Sequence, residues 1–395
     1  MRFATRTTNG DKALGMHIAL TITELDPGGA ETCLVHLACY LAARGHEVAV
    51  FCLGKPPSET RRKLTDRLDA SNISWNCGGK TRAFQFPAAV QWLRRELRRF
   101  SPDVVQSMLY HANVTTALAL SGTSIRLYGG VRVRQPQRTR WWLQRFASSR
   151  MSKLVCVSDD VARHCIDRER ILPDKVVVIP NGIDLSSVQK LITQPEAESG
   201  WQAFGLPSQC RVLLYVGRLD AQKGVVELLP QADELLCQAP EHHFVLMGDG
   251  PQREQVATGI AAMRSAERVH LVGWQTDPIC WMAQSELVLL PAQYEGMPNV
   301  ILEAMAVGKP VVSYRVDGLK QLLGDGAAAE LQLVPPGNHH AFAHAIHRLI
   351  LAPDIRDQCG RHNHLRATEH FQLFDQMKKY ETLYGVEADK PLDAA

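Results

Sequence analysis

Residues 291–318, with the strand that leads into them, constrain the fold more than any other part of the chain. The segment SELVLLPA (285–292) is a leucine- and valine-rich run ending in proline, as a buried strand does. A loop with Glu295-Gly296 follows, and Pro298 stands in the first turn of a helix, where its missing N–H has no partner to lose. Val300, Ile301, Ala304, Met305 and Val307 give that helix an apolar face, and Gly308 closes it as a left-handed cap. Lys309-Pro310 then leads into a second strand, Val311–Tyr314.

Strand, glycine loop and helix N-terminus form a geometry that binds anions, because the first helical N–H groups lack partners and carry the positive end of the dipole. Glu295 and Glu303 lie eight positions apart in this stretch. A carboxylate repels a phosphate, so the pair is expected to face sugar hydroxyls, for which it is a strong acceptor. The bland alternative makes Glu303 a solvated helix residue and Glu295 a loop charge, two of 41 acidic residues. The full string E-G-x-P-N-x-x-x-E-A-x-A-x-G-x-P-V-V is far more specific than the pair and favours function.

A chain of 395 residues exceeds one ordinary core and suits two domains. Its 45% apolar and 22% charged content is that of a soluble globular protein, and no run of eighteen apolar residues is present. The opening MRFATRTTNGDKALG has cations but no apolar core of signal-peptide length. It is expected to be a disordered extension or the product of an early start, with Met16 the alternative start. The ten cysteines include no C-x-x-C pair and mostly sit in apolar runs, which predicts core thiols in a reducing cytoplasm. Cysteine spacing gives a metal site no support, and His339-His340 read as solvated surface.

Charge is divided unevenly. Residues 1–190 hold 28 Lys+Arg against 16 Asp+Glu, whereas residues 191–395 hold 16 against 25. No acidic residue lies between Asp103 and Asp159, an interval with Arg126, Arg132, Arg134, Arg138, Arg140, Arg145, Arg150 and Lys153. Such a field attracts phospholipid headgroups, a lipid diphosphate or nucleic acid. No recognition motif accompanies the charge, so nucleic acid is the weakest of these partners.

Along the chain, residues 16–25 read as a strand, Asp26–Gly29 as a tight loop, Ala30–Ala43 as a helix capped at Gly45, and His46–Leu53 as a strand. This β-α-β opening implies a parallel sheet. Gly28-Gly29 lets backbone approach a ligand, but it is not the G-x-G-x-x-G fingerprint of a dehydrogenase. Phe86–Phe100 is an amphipathic helix with four arginines, and Val104–Leu109 is a strand ending at Tyr110-His111. Ligands of open parallel sheets bind at carboxyl ends of strands, so His111 is either placed for chemistry or is a buried histidine bonded to backbone. Residues 138–153 combine cations with Trp141, Trp142 and Phe146. They suit an interfacial helix on anionic lipid, and equally an ordinary helix with tryptophans in the core. Leu154–Ser158 and Val176–Ile179 are further strands, and looser composition over 185–210 places the domain boundary there.

The second half repeats the pattern. A strand at 212–216 leads to the loop Gly217–Gly224, in which Arg218 and Lys223 suit a diphosphate clamp without a metal. Strands at 244–247 and 269–272 lead to Gly248-Asp249-Gly250 and Gly273-Trp274-Gln275, and these loops are expected on the same edge as Glu295. Residues 371–385 read as a helix, with disorder past Glu387.

The 291–318 stretch resembles the family 4 retaining glycosyltransferases, also described as glycosyl transferases group 1, and looks like members that build bacterial cell-surface polysaccharide and lipid-linked glycans. The resemblance extends over residues 16–385 through Gly28-Gly29-Ala30-Glu31, Val157-Ser158-Asp159, Ile179–Asp184, Gly217-Arg218-Leu219, Gln222-Lys223-Gly224 and Gly248-Asp249-Gly250. It implies an α/β, GT-B fold, with two Rossmann-like domains facing each other across a cleft. The implied layout is an extension at 1–15, an acceptor-binding domain at 16–190, a donor-binding domain at 191–370, a helix at 371–386 packing back on the first domain, and a disordered tail at 387–395.

It further implies a nucleoside-diphosphate sugar, UDP- or GDP-linked, as donor and no metal or other cofactor. Glu303 would hold the ribose hydroxyls, and Glu295 the transferred sugar or the charge developing on it. Arg218 and Lys223 would grip the diphosphate, the backbone of Gly296, Met297, Pro298, Asn299 and Val300 with Gly28-Gly29 and Gly248 would complete the cradle, and Trp274-Gln275 would lie against the base. His111 matches a histidine placed near the donor sugar. The implied reaction is hexosyl transfer with retention, the acceptor being a glycan or lipid-linked saccharide in lipopolysaccharide or exopolysaccharide assembly. The implied place is the cytoplasm, peripherally on the inner face of the membrane. Other readings are a GT-B nucleotide-sugar isomerase or phosphorylase, and a non-catalytic sugar-nucleotide-binding protein.

Overall fold

The computed structural model describes residues 15–80, 85–134, 137–193, 200–207 and 210–385. The expectations for the first fourteen residues and for the tail past Glu387 lie outside these. The chain divides into two units, residues 1–181 with 374–395, and residues 182–373. The division therefore falls before residue 190. Asp184 caps the helix Leu185–Ile192 by accepting from the N–H groups of Ser186 and Ser187, and this helix packs within the second unit.

The first unit alternates strand and helix: β1 (His17–Ile22), α1 (Gly29–Ala43), β2 (Glu47–Cys52), α2 (Lys63–Ala70), β3 (Ser74–Cys77), α3 (Phe86–Phe100), β4 (Val104–Ser107), α4 (Tyr110–Ala119), β5 (Arg126–Val131), α5 (Arg138–Ser149), β6 (Lys153–Cys156), α6 (Asp159–Asp167) and β7 (Val176–Val178). The seven strands run parallel in the order β3-β2-β1-β4-β5-β6-β7. Central strands are apolar on both faces because helices cover both, and β1 is closed to solvent from Ile18 to Ile22.

The second unit holds α7 (Leu185–Ile192), β8 (Arg211–Val216), α8 (Val225–Gln238), β9 (His242–Met247), α9 (Arg253–Ala261), β10 (Val269–Gly273), α10 (Ile279–Gln284), β11 (Leu287–Leu290), α11 (Asn299–Ala306), β12 (Val311–Tyr314), α12 (Leu319–Leu323), α13 (Ala327–Glu330), β13 (Leu333–Val334), α14 (His339–Leu351) and α15 (Pro353–His370). Its six parallel strands are ordered β10-β9-β8-β11-β12-β13. One face buries Leu213, Tyr215, Phe244, Leu246, Leu289 and Val312 against α8 and α14. Each such aliphatic side chain contributes about 1.5–3 kcal/mol on burial.

The last helix, α16 (Leu373–Leu383), belongs to the first unit from Phe374 onward. Its Glu381 is 2% exposed and accepts hydrogen bonds from Tyr40 Oη (2.7 Å) and Arg44 Nε (3.1 Å) of the α1 region. Beyond its end, the Tyr384 hydroxyl reaches Gln106 of β4 at 3.1 Å.

Several expectations change. The strand after residue 104 ends at Ser107, because Leu109 takes φ +74° and turns the chain into α4. The first strand stops at Ile22 rather than residue 25. Trp142 is 70% exposed, so the reading that puts the tryptophans of 138–153 in the core fails for that residue. Of the ten cysteines, five are buried and Cys237 is exposed. His339 is not simply solvated, since its Nδ1 lies 2.6 Å from the hydroxyl of buried Tyr314.

Candidate active site

In each sheet the strand order reverses at one point. In the second unit β8 has β9 on one side and β11 on the other, so the strand order switches between β8 and β11 and their loops leave the carboxyl edge side by side. Ligands of open α/β sheets bind at such points. The two loops, residues 217–224 and 291–298, are stitched together. The Gln293 N–H donates to the Gln222 carbonyl (2.8 Å), and Gln222 Nε2 donates to the Tyr294 carbonyl (3.0 Å). Gly224 makes this approach feasible: its φ is +66°, and a Cβ there would stand 2.3 Å from the Pro291 carbonyl oxygen.

Across these loops Lys223 Nζ donates to Glu295 Oε1 at 2.5 Å, with the two side chains only 15% and 11% exposed. The sequence assigns one to phosphate and the other to sugar; the fold brings them together as an ion pair. Arg218 is 69% exposed and holds Asp220 at 3.2 Å. An ion pair this exposed is worth about 0–1 kcal/mol, so the guanidinium can exchange Asp220 for an anionic ligand at little cost. Tyr215 fixes the start of this loop by donating its hydroxyl to the Arg218 carbonyl at 2.6 Å. Burial first, and then the charges of Asp220 and Glu295, push its phenol well above the usual range, so it stays a donor.

After β11, Gly296, Met297 and Pro298 are buried, and Asn299, Val300 and Glu303 are half-buried. Pro298 is the N-cap of α11 rather than its first helical residue. The loop after β12 braces this turn: Gly318 has φ +75°, and a Cβ there would meet the Gly296 carbonyl oxygen at 2.3 Å. On the other side of β8, the Gly217 N–H donates to the Met247 carbonyl (3.0 Å) and the Gly248 N–H to the Gly273 carbonyl (2.8 Å), which steps the loops down the sheet edge. Trp274 and Gln275 are half-buried at the end of that row, with Gln275 Nε2 on the Val272 carbonyl (3.3 Å).

His111, Gly28 and Gly29 belong to the first unit. There the order reverses between β1 and β4. Gly28 caps α1 after β1, and His111 sits in the first turn of α4 after β4. The His111 side chain reaches solvent, yet desolvation by the surrounding protein and then the Arg140 guanidinium push its pKa below the usual imidazole value. Both effects favour the neutral imidazole. Among the described residues, no group of three or more His, Cys, Asp or Glu could hold a metal ion, and no helix is long and apolar enough to cross a membrane.

Sequence reading passed over Tyr215, Asp220, Gln222 as a stitching residue, and Gly318. Asp220 and Gln222 lie inside the glycine-bounded loop already singled out, and Gly318 closes the 291–318 stretch. Tyr215 gave no signal, being one more apolar residue of a strand.

Comparison with known proteins follows the same division. The family model described as Glycosyltransferase Family 4 matches residues 27–187, and the one described as Glycosyl transferases group 1 matches residues 210–351. The chain is 30% identical over 219 residues to alpha-D-kanosaminyltransferase of Streptomyces kanamyceticus, covering 55% of this chain and 56% of the relative. It is 30% identical over 180 residues to UDP-Gal:alpha-D-GlcNAc-diphosphoundecaprenol alpha-1,3-galactosyltransferase of Escherichia coli, covering 45% and 46%. The chain thus spans about half the length of these two curated relatives. In fold it is similar to Anabaena HepE, whose crystal structure is in complex with UDP and glucose, with TM-score 0.80, 21% identity, and coverage of 94% of this chain and 100% of that one. Two parallel-sheet units with these matches establish that the chain belongs to the family 4 glycosyltransferases and has their two-unit α/β GT-B fold.

Proposed function

We propose that the chain is a retaining, metal-independent glycosyltransferase that moves a sugar from a nucleoside-diphosphate sugar to an acceptor hydroxyl in lipid-linked glycan or lipopolysaccharide assembly. The observation that carries this reading is the Lys223–Glu295 pair at the β8/β11 switch point, beside the N-terminus of α11. A cation, a helix N-terminus and a nearby guanidinium, Arg218, are what a departing diphosphate needs for stabilisation. Glu303, half-buried in the same helix, is the acceptor for ribose hydroxyls, and Trp274-Gln275 the floor for the base. Glu295 holds Lys223 in place and faces the transferred sugar.

In the transfer, the bond from the anomeric carbon to the diphosphate breaks and a bond to the acceptor oxygen forms on the same face. The acceptor proton passes to the departing phosphate oxygen. Neutral His111 is suited to hydrogen-bond the donor sugar. Two further observations support the acceptor side: the E. coli relative acts, by its name, on a diphosphoundecaprenol-linked sugar, and α5 presents exposed Trp142 among Arg138, Arg145 and Arg150. An anionic membrane face, on the cytoplasmic side, suits that surface.

A thermal-shift panel with UDP, GDP and other nucleoside diphosphates and their sugars, first with chelator and then with magnesium, tests the donor half. A ligand at 100 times its Kd adds about 2.7 kcal/mol. One base should stabilise the protein without metal, and Glu303→Ala should abolish that shift. The anomeric configuration of the product, read by NMR, tests retention. An inverted product, or no response to any nucleotide, overturns the proposal.

A further inference from the structure

We propose that Asn113 is a positioning residue that sets the turn bearing His111, and that Gln144 carries this setting to helix α5. The inference rests on the reading of His111 given above.

Leu109 joins β4 to α4 with φ +74° and ψ +152°, a region essentially reserved for glycine. A leucine there is strained and persists only where neighbours over-determine it. They do so here. The Met108 N–H donates to the Thr21 carbonyl (2.9 Å) and the Leu109 N–H to the Gly130 carbonyl (3.1 Å). The Leu109 carbonyl accepts from the Asn113 N–H (2.9 Å). This sharp turn leaves only Met108 and Leu109 between β4 and α4 and puts His111 at the sheet edge beside the loop leaving β1.

The side chain of Asn113 completes the bracing. It is fully buried, and its amide uses every hydrogen-bonding capacity it has. Oδ1 accepts from Ser107 Oγ (2.6 Å) and from the Gly130 N–H (3.2 Å), while Nδ2 donates to the Gly130 carbonyl (3.0 Å) and to Gln144 Oε1 (3.4 Å). One amide thus bolts the first turn of α4 to β4, to β5 and to α5. The asymmetric demand, two donors facing one end and two acceptors facing the other, fixes which way the amide points. No isosteric carboxylate satisfies it.

Gln144 is 1% exposed, and its Nε2 has no hydrogen-bond partner among the described residues. The bond to Gln144, at 3.4 Å, is the longest of the four that Asn113 makes, so the α5 end of the link is held less firmly than the strand end. One turn earlier, the Arg140 guanidinium lies 5.3 Å from the centre of the Tyr110 ring, next to His111. The helix with the exposed Trp142 face therefore meets the His111 turn at two points, and a shift of α5 reaches the imidazole through both.

The test uses the full-length protein with Asn113→Asp, Asn113→Ala and Gln144→Ala. Two readouts are taken: the His111 imidazole NMR signal, assigned by its loss in His111→Asn, and steady-state transfer from the donor. Positioning predicts a displaced His111 signal in all three, and a fall in kcat with little change in the donor KM. A misplaced catalytic group costs up to about a hundred-fold. An unmoved His111 signal and unchanged kcat per folded molecule, with only a lowered Tm, overturn the proposal and leave Asn113 a core amide. Should the Asn113 variants not fold, Gln144→Ala decides by the same criteria. If the wild type transfers no sugar, the functional reading fails, and the NMR signal still decides the positioning.

Discussion

Lys223 and Glu295 stand 72 positions apart in the chain, yet Nζ lies 2.5 Å from Oε1, with both side chains largely withdrawn from solvent. Strand order is the cause, since β8 and β11 are neighbours and deliver their loops to the same sheet edge. Lys223→Ala leaves the Glu295 carboxylate buried without its cation, which costs about 3–5 kcal/mol. In the proposed reaction it also removes a charge that stabilises the leaving group, for an expected loss of about a hundred- to a thousand-fold in kcat. Adding Glu295→Gln should restore much of the stability and none of the turnover. Denaturant melts and nucleoside-diphosphate release measure both, and wild-type turnover in Lys223→Ala would take the lysine out of the site.

At the opposite edge of the same sheet, Glu286 accepts from Arg211 (2.7 and 3.1 Å) and pairs with Arg356. Burial alone would raise its pKa, but His242, Arg356 and Arg211 outweigh burial and hold it below the usual value. A depressed carboxylate stabilises above its unfolded pKa and loses that contribution as pH falls through the folded one. Glu286→Ala should cost about 3–5 kcal/mol at pH 7, with a smaller deficit in acid. Transfer activity per folded molecule should be unchanged. An equal deficit at acid and neutral pH would contradict the linkage.

Glu169 shows the reverse sign. Its carboxyl is 2% exposed, neither oxygen has a hydrogen-bond partner among the described residues, and burial pushes its pKa up to about 7. Between the unfolded value and about 7 the folded protein retains a proton that the unfolded chain releases, so stability falls as pH rises through that window. One pKa unit corresponds to 1.36 kcal/mol, which makes the loss at pH 8 about 3 kcal/mol. Glu169→Gln should therefore gain on the wild type as the pH of a melting experiment rises from 5 to 8. Parallel pH profiles would show that the carboxyl is not buried as described.

The ring of Trp142 stacks on Phe146, with centroids 6.4 Å apart, on the open face of α5. If this face meets an anionic membrane, wild-type protein should float with vesicles rich in acidic phospholipid and not with neutral ones. Trp142→Ala with Arg145→Glu should lose most of that binding while keeping its Tm. Equal flotation on both lipids would leave α5 without a role at the membrane.

The fold was readable because its elements are local. Phe86–Phe100 has the same bounds in sequence and structure, since its apolar face, its proline near the start and its left-handed end at Ser101 all lie within the segment. The two sheets follow from alternation of apolar runs with amphipathic helices. What the sequence withheld is pairing between distant residues. Glu381 meets Tyr40 and Arg44 across more than 300 positions, and nothing in the composition of either helix names the other. Likewise Leu109 looks like the end of a strand, and the carbonyls of Thr21 and Gly130, far away in sequence, explain why the chain turns there. The glycine loops and acids of the candidate site were visible as motifs, whereas the Tyr215 hydroxyl that anchors the Arg218 loop was hidden in an ordinary strand.

The placement of α16 has a bearing on how the chain is made. Gln106 of β4 meets the Tyr384 hydroxyl, Arg126 donates to the Tyr384 carbonyl and Tyr128 to that of Leu383. The unit that leaves the ribosome first thus lacks its closing helix until residues 182–373 have followed, about 10–40 s later at ordinary elongation rates. The second unit has all of its own residues in hand before that helix emerges. The chain is therefore expected to complete its structure in the reverse of its order of synthesis, with the later unit closed while Gln106 and Tyr128 still wait for their partners.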